Sequence, residues 1–271
     1  MPDENHKLVL TIAGFDPSSG AGITADLKTV TAHGLYGIAC ITALTVQTTR
    51  GVSRMEGVSP ESVRDTLEAL MDDLPPAAIK IGMLGSAEVA RAVAEFLRAH
   101  RPRNVVLDPV MRSSSTTALL DEAGREILSK EMLGLADVIT PNLGEAGLLT
   151  GTAVTDVGSM ELACRRLRDM GARNIVITGG HLEQPTDVLA EGLSDGSLAF
   201  RQYPAERIAT PNTHGTGCAF STALACRLAL GENLGDAMQG AKDYVSEALR
   251  HSYAIGRGTS PVNHFFKLGR R

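Results

Sequence analysis

The residues best placed to do chemistry lie in one stretch, Thr210-Pro-Asn-Thr-His-Gly-Thr-Gly-Cys-Ala-Phe-Ser-Thr-Ala-Leu-Ala-Cys, where a glycine-rich turn runs into an apolar helical pattern that extends to Gly231. Gly215 and Gly217, with Thr216 between them, let the backbone approach a ligand closely. The first-turn amides of Gly217, Cys218 and Ala219 are expected to lack helical acceptors and to point outward beside the positive end of the helix dipole. Such a turn is an anion site. On it, Cys218 sits where the local potential favours thiolate, so its pKa is expected below the usual ~8.5. Anion hole and base would then be adjacent. The competing reading is a glycine turn capping a buried helix, with Cys218 a small apolar side chain.

A second polar cluster is expected at strand ends. The run 8–14 reads as a buried strand, followed by the small-residue loop Phe15-Asp-Pro-Ser-Ser-Gly-Ala-Gly22 and an amphipathic segment over 23–32. Gly20 and Gly22 lack the third glycine and the distant acidic residue of a dinucleotide fingerprint, so a Rossmann site is rejected. The loop instead reads as a close-fitting wall for a small polar ligand. Asp16 is its one ionisable group able to fix a hydroxyl or ring nitrogen, and a helix-capping aspartate is the alternative. Asp108-Pro109 and Thr140-Pro-Asn142 close two later strands, and in an open α/β sheet Gly14, Gly82, Asp108 and Asn142 would line one edge beyond the strand ends.

The elements that must position these residues alternate along the chain. Strands are expected over 35–46, 52–58, 77–85, 104–111, 137–142 and 174–180, with two antiparallel ones at 187–190 and 198–203 around Ser194-Asp-Gly196. Helices are expected over 60–72 with Ser59 as cap, 87–98, 162–170 and 234–252. No repeat or linker composition interrupts this order, so one domain is expected over 1–271, with 1–7 a polar tail. A chain of 271 residues is long enough for one large α/β domain.

Composition narrows the partners. A net charge of −5 without a lysine or arginine run argues against a nucleic-acid footprint, and no window of 18 uninterrupted apolar residues points to a membrane. Four cysteines, at 40, 164, 218 and 226, show no metal-ligand spacing and are too few to staple the chain, so free thiols are expected. The first seven residues lack a secretory pattern, and a cytoplasmic location is expected. The ligand should be a small molecule.

Several motifs, in order, resemble the phosphomethylpyrimidine kinases of thiamin synthesis, in the ribokinase-like superfamily: Thr11-Ile-Ala-Gly14 with Ser19-Gly-Ala-Gly-Ile-Thr-Ala-Asp-Leu-Lys28, Ile41-Thr-Ala-Leu-Thr-Val-Gln47, Ile79-Lys-Ile-Gly-Met-Leu84, Leu107-Asp-Pro-Val-Met111, Thr140-Pro-Asn142 with Glu145, Asn212-Thr-His-Gly-Thr-Gly-Cys218 and the tail Pro261-Val-Asn-His264. The resemblance implies an α/β, ribokinase-like three-layer sandwich, with a mostly parallel central sheet flanked by helices. It implies ATP and Mg2+ as cofactors and two successive phosphoryl transfers, onto 4-amino-5-hydroxymethyl-2-methylpyrimidine and then onto its monophosphate. Cys218 matches the position where related sugar kinases carry an aspartate base, and Gln47 the residue that contacts the pyrimidine. Gly14, Asp16 and Met83 fall in segments similar to the rest of that pocket. Asn142 and Glu145 match an Asn-x-x-Glu pattern linked to magnesium and phosphate, with Asp108 beside it, while Thr178 and Lys242 fall on the nucleotide side.

Blander readings stand beside these: an exposed strand-end amide for Gln47, helix capping or solvated carboxylates for Asp108 and Glu145, and a surface lysine for Lys242. The chain departs from the family pattern at Arg112-Ser-Ser-Ser-Thr-Thr117, at Thr178 where a lysine is frequent, and at Gly258-Thr-Ser-Pro261. These changes are expected to touch ATP handling and the terminus more than the pyrimidine pocket. The rivals are a pyridoxal kinase of the same superfamily, disfavoured by Gln47 and Met83, and a non-catalytic pyrimidine-binding regulator. A homodimer is left open.

Overall fold

The structure, a computed structural model, describes residues 6–112 and 119–268. Nine strands form one sheet: β1 (Leu8–Phe15), β2 (Tyr36–Thr48), β3 (Gly51–Gly57), β4 (Ala78–Ile81), β5 (Val105–Leu107), β6 (Val138–Ile139), β7 (Asn174–Ile177), β8 (Thr186–Gly192) and β9 (Leu198–Pro204). Their order is β3-β2-β1-β4-β5-β6-β7-β8-β9. The six strands from β2 to β7 across the middle are parallel, and β3, β8 and β9 are antiparallel additions at the edges.

Among the described residues eight α-helices cover the sheet: α1 (Gly22–Ala32), α2 (Pro60–Asp73), α3 (Ala87–His100), α4 (Glu122–Ile127), α5 (Leu143–Thr150), α6 (Val157–Asp169), α7 (Thr216–Leu230) and α8 (Leu234–Arg250). Side chains alternate across a strand, and the core follows that period of two. Leu10, Ile12, Ile79, Ile81, Val105 and Leu107 pack with α2, α3, α4 and α6 on one face. Val9, Ala78, Val106, Val138 and Val176 pack with α1, α7 and α8 on the other. The expected three-layer sandwich with a mostly parallel sheet is therefore present. Among the described residues no helix is long and apolar enough to cross a membrane.

The elements depart from the sequence reading mainly at their ends. The central strands are two to four residues long, shorter than the apolar runs suggest, and Gly82, Asp108 and Pro141 each make one further backbone hydrogen bond to a neighbouring strand just past the strand ends. Helices α4 and α5 are additional to those read from periodicity. Helix α5 is short and is started by a capping box, in which Asn142 accepts from the Glu145 amide at 3.0 Å and Glu145 accepts from the Asn142 amide at 2.9 Å. Helix α6 begins at Val157, five residues before the apolar stripe, because Asp156 and Ser159 form a second box.

Candidate active site

Strand order reverses at β1, which has β2 on one side and β4 on the other, and the parallel strands end there on a cavity of about 560 Å³. Gly14, Asp16, Gln47, Met83, Asp108, Asn142, Glu145, Gly215, Thr216, Gly217 and Cys218 all line it. Gly82 does not line it. A Cβ there would stand 2.8 Å from Lys80 Nζ, so this glycine makes room for the ammonium of Lys80, which is itself among the lining residues. Thr178 and Lys242 are also off the wall. Thr178 continues β7 with its amide on Pro141 O, and the buried Lys242 pairs with Asp187 at 2.7 Å, which in turn accepts from the Gly179 amide. Lys242 is thus neither a surface lysine nor a cavity group, but a brace under the Gly179-Gly180 turn.

Backbone geometry at the glycines builds the pocket. Gly215 has φ +79, and a Cβ on it would fall 1.8 Å from Gly20 O; at Gly14 a Cβ would meet Met83 Cε at 2.0 Å. The first glycine lets the turn nest against the β1–α1 loop, and the second lets the methionine lie across the strand end. Gly217 has open space instead. The amides of Gly217 and Cys218 have no backbone acceptor among the described residues, whereas Ala219 donates to Gly215 O at 2.9 Å. The outward pair is therefore Gly217 and Cys218, one amide fewer than expected.

Asp16 is spent on its own loop. Its carboxylate accepts from the Ser18 amide and hydroxyl, the Gly20 and Ala21 amides, and His214 Nε2 at 3.0 Å. Burial raises its pKa, but these hydrogen bonds, His214 first, outweigh it and hold the carboxyl below its usual value. Asp16 is thus a loop organiser rather than a free ligand for a hydroxyl. His214, which the sequence reading left without a role, stands between Asp16 and Gln47, with the Gln47 amide nitrogen 3.2 Å from the same Nε2.

A second cluster is charged. Lys80, fully buried, pairs with Asp26 at 2.8 Å, and Asp26 also accepts from Thr11 and from Thr222 at 2.8 Å. Burial alone would lower the Lys80 pKa; the Asp26 charge first, and then that of Asp108, hold it above its usual value. Lysine in an otherwise apolar central strand was the one available signal, since a buried lysine needs a partner. Asp108 and Glu145 are also shifted upward. Burial raises both carboxyls; at Asp108 the Lys80 charge opposes this and Asp26 adds to it, and at Glu145 Asp108 adds to it.

Cys218 overturns the expected thiolate. Burial dominates and pushes its thiol up to about 12, with Asp26 and Asp108 adding to the rise, against Lys80 and the Gly22 amide. The side chain itself is half-buried on the cavity wall. Lys80 and the Gly22 amide do not offset burial and the two nearby carboxylates. The other three cysteines are buried and free, as expected.

The departures fall differently from expectation. Thr259 lines the cavity, and Ser260 O accepts from the His214 amide at 3.1 Å, so the altered terminal segment braces the ring end of the site and not only the terminus. Arg112 is also on the wall, and positions 113–117 lie outside the described residues.

Comparison with known proteins agrees with this geometry. The phosphomethylpyrimidine kinase family profile matches residues 16–263. The chain is 44% identical to a hydroxymethylpyrimidine/phosphomethylpyrimidine kinase of Haemophilus influenzae, covering 96% of this chain and 97% of that one. It is 46% identical to a thiamine biosynthesis bifunctional protein of Geobacter sulfurreducens over 94% of its own length, and spans 52% of that longer protein. Among solved structures, an ADP complex of Bacillus subtilis pyridoxal kinase superposes with a TM-score of 0.88 at 32% identity, over 97% of this chain and 100% of that one. A profile match over most of the length, with relatives well above 30% identity, shows that the chain belongs to the phosphomethylpyrimidine kinase family.

Proposed function

We propose that the protein transfers phosphate from ATP to 4-amino-5-hydroxymethyl-2-methylpyrimidine and then to its monophosphate, giving the diphosphate used in thiamin biosynthesis. The observation that carries this is the division of one cavity into two polar ends. At one stands the Gln47 amide, able to donate and accept in one plane. At the other stand the outward amides of Gly217 and Cys218, the Lys80 ammonium and the Asp108–Glu145 carboxyls.

Phosphoryl transfer needs an in-line acceptor and charge neutralisation more than covalent chemistry. The Gly217 and Cys218 amides, at the positive end of α7, suit the transferring oxygens. Asp108 and Glu145 fit a magnesium ion: two neighbouring buried carboxyls, only Asp108 of them opposed by the Lys80 charge, in no group of three or more metal-binding side chains among the described residues, match an ion that keeps water and phosphate oxygens as its other ligands. Bound there, magnesium would neutralise phosphate charge. Ser221 has one hydroxyl proton for Asp108 at 3.2 Å, Gly217 O at 3.0 Å and Cys218 O at 3.2 Å, so its bond can pass from the carboxylate to the turn when Asp108 gains another partner. Cys218 enters as a neutral thiol at the transfer point, and the hydroxyl proton leaves late, passing to an oxygen of the transferred phosphoryl group, as a loose transition state permits.

The pyridoxal kinase reading is supported by superposition on pyridoxal kinases, among them those of Bacillus subtilis and Staphylococcus aureus. Incubation with magnesium-ATP and, separately, hydroxymethylpyrimidine, its monophosphate, pyridoxal and pyridoxine, with product masses followed, separates the two. Phosphorylation of the pyridoxal compounds alone would overturn the pyrimidine assignment.

A further inference from the structure

His214 Nε2 stands 3.0 Å from Asp16 Oδ2 and 3.2 Å from the Gln47 amide nitrogen. The first contact fixes the proton. Asp16, ionised and accepting only, would repel a bare Nε2 lone pair, so Nε2 carries hydrogen and donates. An amide NH2 facing that donor is then a conflict. A half-turn of the Gln47 amide resolves it, since the hydrogen-bond network decides which end of an amide is nitrogen. Its oxygen then shares the one Nε2 hydrogen with Asp16 in a bifurcated bond, and its NH2 donates to Thr45 Oγ1, 3.2 Å away, whose own proton goes to Phe15 O at 2.9 Å. One oxygen lone pair and one N–H remain unspent in the amide plane.

We propose that His214 is a positioning residue for substrate specificity: held by Asp16, its Nε2–H fixes which way the Gln47 amide presents its donor and acceptor to the ring. The inference rests on the proposed contact between Gln47 and the aminopyrimidine, whose adjacent ring nitrogen and exocyclic amine complement such a pair. The imidazole itself is located by backbone. Its residue donates to Ser260 O at 3.1 Å and accepts from the Val262 amide at 3.3 Å, and the ring lies where a Cβ on Gly20 would come within 2.3 Å of Cδ2.

The test compares His214→Leu, His214→Gln and Gln47→Leu in steady-state kinetics with hydroxymethylpyrimidine and ATP. His214→Leu should raise KM for the pyrimidine about 10–100-fold while kcat and KM for ATP change less than about threefold. His214→Gln, whose NH2 can reach the Nε2 position, should recover most of that loss. Proton-detected 15N spectra of the histidine-labelled wild type, assigned by the His214→Gln spectrum, should show the Nε2–H form. An unchanged pyrimidine KM in His214→Leu, no recovery in His214→Gln, or the Nδ1–H form in the wild type each overturns the proposal. Failure of Gln47→Leu to raise the pyrimidine KM would instead remove the contact on which it rests. Should His214→Leu not fold, the His214→Gln kinetics and the wild-type spectra still decide.

Discussion

The two ends of the cavity are built on opposite principles. At the ring end Asp16, His214, Gln47 and Thr45 satisfy one another, and the carboxylate there is held below its usual pKa. At the phosphate end Asp108 and Glu145 are pushed upward by burial and by neighbouring negative charge. One end is preorganised before any ligand arrives; the other is completed by the charges a ligand brings. A ring is recognised by fixed donors and acceptors, whereas a transferring phosphate needs cation and amides to converge on charge that develops during the reaction.

The largest effect expected from this contrast is at Lys80. Lys80→Met would leave Asp26 buried and uncompensated, at a cost of about 3–5 kcal/mol. For a chain of this size that is a fall in melting temperature on the order of 10 °C. Asp26→Leu in the same chain should restore part of it, since the isolated charge is the damaging feature. A melting temperature within about 2 °C of wild type for Lys80→Met would show that the pair is not the foundation of this end.

Next is the carboxyl pair. Glu145→Gln should lower turnover about 100-fold and raise the magnesium requirement, with the fold retained because the amide oxygen can still accept from the Asn142 amide. The same pair sets a pH dependence. A carboxyl whose pKa is raised in the folded protein favours folding below its unfolded value, near 4, and loses that contribution as pH rises through the raised value. Asp16, shifted down, loses its contribution only as pH falls through its depressed value, outside this window. Without metal, melting temperature should therefore fall between pH 5.5 and 8.5, and magnesium-ATP should raise it more at pH 8.5. Equal stabilisation at both pH values would detach the carboxyls from the cation.

At the ring end the expected effect is smaller and confined to one substrate. Gln47→Leu should weaken pyrimidine binding by about 1–3 kcal/mol and leave ATP affinity within about twofold, read by calorimetry with each ligand. Parallel losses for both would mean that the two ends are not separable.

How much of this was legible follows from which forces are local. The alternation of apolar runs, the Ser59 cap and the glycine turn at 215–217 depend on near neighbours in sequence, and they placed the sheet, α2 and the start of α7. Asn142 and Glu145 were legible as a pair, with helix capping named as an alternative for Glu145, and the 3.0 and 2.9 Å bonds that start α5 show that capping. His214 and Lys80 carried no spacing signature. Their partners lie 198 and 54 positions away, so charge and hydrogen-bond matching across the fold, rather than any motif, gives them meaning. The thiol was misread for the same reason: the helix N-terminus is visible in sequence, while the burial and the carboxylates that oppose it come from the sheet and α1.

That misreading leads to the smallest effect expected. A thiol pushed up to about 12 holds its proton through the neutral range, so no preformed base is lost when it is replaced. Removing an essential general base costs roughly 10²–10⁴ in rate. Cys218→Ser, which keeps a small polar group at the transfer point, should instead lower kcat less than about tenfold, and alkylation of Cys218 by iodoacetamide should stay slow until strongly alkaline pH. Gly217→Ala should cost more than the cysteine change. Among the described residues, and outside its own turn of helix, no protein atom lies within 4 Å of the added Cβ, so its effect reports on what the amide turn holds. A drop of 10³ or more in Cys218→Ser, with rapid alkylation near pH 7, would mean that the site makes thiolate despite its burial. The phosphate end would then be preorganised like the ring end, and the contrast between them would fail.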